Sequence, residues 1–161
     1  MGRQTKTTSQ DFAYIAGFLD GDGSIMVQIK NRSDASRGWR IMFTICFYQD
    51  TRHEKPLFWM RQKLGIGYIS RRNDGMTEYR INGYEAVGRI LEAFKPFVRF
   101  KKKQVDLSLK LISFLRKKDL MKFPEKERIK IANLICDIRD ENYKSHWRKY
   151  TRKQIIKFLS Q

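Results

Sequence analysis

The chain has 161 residues, 41% of them hydrophobic, which is enough for one domain with a real core. Its 34 basic and 17 acidic residues leave a formal net charge of +17, an excess that opposes compaction until a polyanion offsets it. Nucleic acid is therefore the implied partner, with ribosomal or membrane-surface binding as alternatives. The two cysteines, Cys46 and Cys136, lack a C-x-x-C spacing, which excludes a disulfide framework or a zinc knuckle.

Asp11 to about Leu19 reads as a helix that is apolar nearly all round, hence buried, with Ser9 or Asp11 able to cap it. Ser24 to Lys30 alternates, with Ile25, Val27 and Ile29 on one face. Asn31 to Gly38 is a polar loop. Arg40 to Gln49 alternates again, Ile41, Phe43, Ile45 and Phe47 pointing inward, which predicts a second strand. Pro56 opens a helix that runs to Leu64 and is closed by Gly65. Tyr68 to Arg72 and Glu78 to Ile81 flank Asn73, Asp74 and Gly75 as a hairpin. Asn82 to Glu85 has the form of a capping box, followed by Val87, Ile90, Leu91 and Phe94 at helical spacing. Pro96 interrupts, and Val105, Leu109, Ile112 and Leu115 form a further stripe. Pro124 starts a helix with Ile129, Ala132, Ile135 and Ile138 on one face, and Thr151 to Gln154 caps a last short one. The order predicts an α+β fold: an αββαββα core with a four-stranded antiparallel, saddle-like sheet, helices on one face, and C-terminal helices. We expect a single domain over residues 1–161, with its core at about 9–115 and a helical tail at about 116–161. No run approaches the ~18 apolar residues of a membrane span, and the first ten residues lack the apolar centre of a secretory signal. An intracellular setting, prokaryotic cytoplasm or organelle, is expected, with no membrane partner.

The stretch Ile15-Ala-Gly-Phe-Leu-Asp-Gly-Asp-Gly23 poses the chemical question. Helix C-termini carry partial negative charge, so carboxylates at Asp20 and Asp22 sit at the unfavourable end, by ~0.3–1 kcal/mol each. A plain Asp-Gly turn accounts for them. So does a hard divalent cation, with Gly21 and Gly23 letting the backbone leave the helix in unusual dihedrals. An EF-hand fails: from Asp20 its sixth position is Ile25 and its twelfth Asn31. Ala13, Gly17 and Gly21 recur at four-residue spacing beside Ala16, the pattern that lets two helix backbones approach closely.

That stretch resembles the LAGLIDADG motif of homing endonucleases, with Ala16, Gly17, Asp20, Asp22 and Gly23 identical and Ile15 and Leu19 conservative. The resemblance extends over about residues 9 to 115, including Gln49 and Lys101. It implies a homodimer of single-motif type, packed through the Asp11–Asp22 helix with Ala13, Ala16, Gly17, Asp20 and Gly21 at the seam. It implies metal-assisted cleavage of double-stranded DNA at a long pseudo-palindromic site, leaving 3′ overhangs. Asp22 and the Gly21 carbonyl would hold Mg²⁺, for which Mn²⁺ or Ca²⁺ could substitute in binding. Asp20 would have a structural role, and Gln49 and Lys101 would arrange water and phosphate charge. His53 falls where some relatives carry arginine.

The alternation also predicts a DNA-reading face on the sheet: Met26, Gln28, Lys30, Arg32, Arg40, Met42, Thr44, Cys46, Ser70, Arg72, Glu78 and Arg80. Arg and Lys read guanine, Gln reads adenine and Glu accepts from cytosine. Lys102, Lys103, Arg116, Lys117 and Lys118 are expected to track phosphates. Tyr143 and Trp147 are expected to pack the tail. Three rivals stand beside the endonuclease: an RNA maturase of the same fold that assists intron splicing, a catalytically dead DNA-binding regulator, and a basic RNA- or ribosome-associated protein.

Overall fold

The computed structural model describes residues 7–33, 38–142 and 150–160. Residues 1–6 of the basic N-terminus, part of the polar loop at 34–37, and Tyr143 and Trp147 lie outside the described residues.

Helix α1 spans Ser9–Asp22. Its cap is Thr8 rather than Ser9 or Asp11. The Thr8 side chain accepts the Asp11 N–H while the Asp11 carboxylate accepts the Thr8 N–H, a reciprocal box. The helix continues three residues past the expected Leu19, so Asp20, Gly21 and Asp22 are all helical. Neither glycine uses a positive φ. Gly23 is required for another reason: a Cβ there would lie 2.7 Å from Leu19 Cδ1 and 2.8 Å from its Cα.

Strands β1 (Ser24–Asn31) and β2 (Trp39–Asp50) pair antiparallel, Ser24 opposite Cys46 and Asn31 opposite Trp39. Helix α2 (Lys55–Leu64) has Pro56 in its first turn and ends at Gly65, whose φ of 66° is the left-handed conformation the sequence called for. Strands β3 (Tyr68–Arg71) and β4 (Met76–Asn82) form the expected hairpin, with Gly75 at φ 81° in its turn. The sheet order is β1-β2-β4-β3, antiparallel throughout.

Helix α3 spans Tyr84–Phe94 without the expected capping box. The Asn82 side chain is drawn off to the sheet, where it accepts from Thr44 Oγ1 at 2.7 Å and donates to the Tyr68 hydroxyl at 3.3 Å. Helix α4 spans Lys102–Lys117 and buries Val105, Leu111 and Ile112, with Leu109 and Leu115 half-buried beside them. Helices α5 (Glu125–Asp140) and α6 (Arg152–Ser160) complete the fold, α6 with the predicted Thr151/Gln154 box.

The helices cover one face of the sheet over a continuous apolar cluster running from Ile15 to Leu159. Val27, Phe43, Phe47, Tyr79 and Ile81 supply it from the sheet. Helix α4 and the tail are both tied to the edge strand: Gln104 Nε2 of α4 and Asn142 Nδ2 of the tail each donate to the Ile25 carbonyl at 3.0 Å. Among the described residues no helix is long and apolar enough to cross a membrane.

Candidate active site and nucleic-acid interface

Two acids, two residues apart on α1, meet opposite environments. Asp20 is 7% exposed and its carboxylate turns back into its own chain. It accepts the backbone N–H groups of Arg99 at 2.7 Å, Phe100 at 2.9 Å and Lys101 at 2.7 Å, in the turn between α3 and α4. Burial pushes its pKa up, but these donors outweigh it and the net shift is downward. Asp22, one half-turn on, is exposed and makes no hydrogen bond or ion pair among the described residues.

Lys101 joins the two. Its ammonium donates to the Asp20 main-chain carbonyl at 2.7 Å. Burial lowers its pKa, and the charges of Asp20 and Asp22 oppose that shift. Gln49 lies half-buried near the end of β2; its Oε1 accepts the Asp50 N–H at 2.9 Å, which leaves its NH₂ as a donor. Among the described residues no three His, Cys, Asp or Glu side chains cluster as a metal site.

The outward face of α1 is bare. A Cβ added at Gly17 or Gly21 would meet nothing within 4 Å, and Tyr14 on the same face is exposed. Ala16 is fully buried in the chain's own core, so it lies beneath that face and not on it. Ala13 is half-buried at the face's margin. Of the small residues expected at a seam, Gly17 and Gly21 are therefore the open ones, and Asp20 faces inward.

The register fixes the sheet's other face in rows: Lys30 beside Arg40, Gln28 beside Met42, Met26 beside Thr44 and Asn82, Ser24 beside Cys46, Arg80 and Tyr68, and Tyr48 beside Glu78 and Ser70. Gln28, Lys30, Arg32, Arg40 and Arg72 are exposed, and Met26, Met42, Ser70 and Arg80 are half-buried. Three of the expected readers are not available for direct contact: Thr44 is 5% exposed, Glu78 3% and Cys46 0%. The alternation placed them on the right face, but their taller neighbours cover them. Cys46 is fully buried among neighbours that include Tyr48, Arg80 and Glu78, and burial pushes its thiol up to about 11.

The family profile described as LAGLIDADG endonuclease matches residues 15–112. The chain belongs to the LAGLIDADG endonuclease family. It is 34% identical to the DNA endonuclease I-CvuI of Chlorella vulgaris over 104 residues, which cover 65% of each protein. It is 32% identical to the DNA endonuclease I-CreI of Chlamydomonas reinhardtii over 111 residues, 69% of this chain and 68% of the relative. A crystal structure of I-CvuI in complex with its target in the presence of Ca superposes with a TM-score of 0.81 at 26% identity, over 94% of this chain and 93% of that one.

Within this LAGLIDADG chain the outlying basic residues divide. Arg116 spans Glu85 at 3.0 Å and Glu92 at 2.7 Å, and its guanidinium fills the space a Cβ at Gly88 would need. It links α4 to α3 through two exposed ion pairs. Lys102 pairs with Asp106 at 3.2 Å and Lys103 with Glu141 at 2.5 Å, all on the surface, where such pairs are weak. Lys117 and Lys118 lie over the rings of Phe114 and Phe123. Sequence reasoning missed Tyr48, Tyr68 and Asn82 on the sheet face. Their parity along β2, β3 and β4 matches that of the residues named, which is the signal that finds them.

Proposed function

We propose that the chain, as one domain over residues 1–161, is a homodimeric site-specific DNA endonuclease. It hydrolyses one phosphodiester on each strand of a long pseudo-palindromic site and leaves 3′ overhangs. Asp22 carries this reading: an exposed, unpartnered carboxylate at the negative end of a helix whose outer face is bare. A divalent cation removes that conflict. The Asp22 carboxylate and the Gly21 carbonyl, one of the last carbonyls of α1 and so without an intrahelical partner, are hard oxygen donors suited to Mg²⁺, with Mn²⁺ or Ca²⁺ able to support binding. One chain brings a single such acid, so Asp22 and the Gly21 carbonyl would hold the ion together with donors from outside this chain.

When bound, such an ion supplies an acidified water and charge compensation at the leaving oxygen. The chain's own residues do the rest. Lys101, fixed by the Asp20 carbonyl, offers positive charge to the phosphate as negative charge develops on it. Gln49 has a free amide donor to orient water. Gly17 and Gly21 let two copies of α1 approach, so that each delivers its Asp22 to a neighbouring strand. The exposed rows of the sheet follow the major groove.

The test is incubation with a randomised plasmid library and Mg²⁺, followed by sequencing of cut ends, for the wild type and Asp22→Asn, with sedimentation of both. Site-specific cuts lost in Asp22→Asn, with a dimer in both, support the reading. Tight binding to structured RNA without any site-specific cut overturns it in favour of an RNA-associated role.

A further inference from the structure

We propose that Glu78 is a positioning residue for base recognition, aiming the free edge of Arg80 at a guanine, and that Arg72 is its brace and not a reader. This rests on the endonuclease reading above and names the reader within its sheet face.

Glu78 stands on the face expected to meet DNA, yet it is 3% exposed and both of its oxygens are taken. Oε1 accepts from Arg72 Nη1 at 3.0 Å, and Oε2 accepts from Arg80 Nε at 2.6 Å. It has no open route to a cytosine amine. The two arginines then differ. Arg72 has both terminal nitrogens held by acids, Nη1 by Glu78 and Nη2 by Asp74 at 2.6 Å. Arg80 is gripped at Nε by Glu78 and interacts on one side with the Cys46 thiol, and its two terminal nitrogens carry no oxygen acceptor among the described residues.

A guanidinium is a rigid plane, so gripping it at Nε sets the direction of the opposite, Nη1–Nη2 edge. That edge matches the O6 and N7 acceptors of guanine. The register adds lateral walls: Arg80 lies between Cys46 of β2 and Tyr68 of β3, and Tyr68 is half-exposed. A reader fixed at its base and on both sides gives up little side-chain entropy on binding, which favours discrimination.

The experiment is the library cleavage assay run on wild type, Glu78→Gln, Arg80→Lys and Arg72→Lys, with each variant's Tm measured. Arg80→Lys keeps the charge and removes the fork; it should lower guanine preference at one position per half-site by roughly 5- to 100-fold. Glu78→Gln should relax the same position, and Arg72→Lys should leave the preferred base unchanged. A wild type that selects no site overturns both this assignment and the endonuclease reading. A selective wild type whose Glu78→Gln and Arg80→Lys variants keep full preference, or whose Arg72→Lys variant alone relaxes it, overturns this assignment and leaves the endonuclease reading intact. If Glu78→Gln fails to fold, Arg80→Lys against Arg72→Lys decides.

Discussion

Asp20 and Lys101 hold each other twice: the Asp20 carboxylate accepts the Lys101 backbone N–H, and the Lys101 ammonium donates to the Asp20 carbonyl, each at 2.7 Å. The two residues are 81 apart in sequence. The clasp joins the end of α1 to the start of α4, so the exposed Asp22 and the ammonium beside it are set by one rigid junction.

Asp22→Asn should abolish cleavage while leaving Tm and DNA affinity close to wild type, because an exposed, unpartnered carboxylate contributes nothing to folding that an amide removes. Gel shift without metal, cleavage with Mg²⁺ and thermal unfolding check this. If cleavage survives in Asp22→Asn and is lost in Asp20→Asn at unchanged Tm, the roles of the two acids are reversed.

Asp20→Asn should destabilise the fold by about 2 kcal/mol, since three N–H donors lose a charged acceptor. The native pKa of Asp20 is depressed below 3.8. The native state therefore binds fewer protons than the unfolded chain, and the stability Asp20 contributes is present above the ordinary carboxylate pKa and lost as pH falls through the native one. The gap between wild type and variant in denaturant unfolding should narrow below about pH 4. A gap that is constant down to pH 2 contradicts this.

Two glycines on α1 and at its end should behave oppositely. Gly23→Ala forces a Cβ against Leu19, so Tm should fall in the isolated chain. Gly17→Leu enters empty space, so the chain should fold, sediment as a monomer and lose cleavage. An active dimer of Gly17→Leu moves the interface elsewhere.

The basic end of α4 provides a contrast in salt dependence. Lys117→Ala should lower affinity on all sequences alike and flatten the slope of log affinity against log salt by about one phosphate per subunit. Arg116→Ala should leave the slope unchanged and lower Tm, because its charge is spent on Glu85 and Glu92. A Lys117→Ala slope equal to the wild type's would show that Lys117 does not contact a phosphate, and a flattened Arg116→Ala slope would show that Arg116 does.

The sequence made the strand alternation, the Gly65 and Gly75 turns and the α1 motif legible, because each depends on residues within a few positions of one another. Depth was not legible. Period two assigns Thr44 and Cys46 to a face, but whether they surface depends on Asn82, Glu78 and Arg80 on a strand some 35 residues away. The same holds for Asp20, whose partners lie 79 to 81 residues on. The Asn82 box failed because a tertiary acceptor, Tyr68, and a donor, Thr44, competed for its side chain.

The amide of Asn142, which joins that of Gln104 on the Ile25 carbonyl, changes how the tail is to be regarded. The family match ends at residue 112, as though the remainder were dispensable. A chain shortened to that point would keep Gln104 on the Ile25 carbonyl but lose Asn142, α5 and α6, and the outer backbone of β1 would be left largely as an uncovered sheet margin. Such margins recruit strands from other copies. The shortened protein would then associate side by side through its sheet, in open-ended rows, and the two-fold pairing proposed through α1 would face a competitor of the chain's own making.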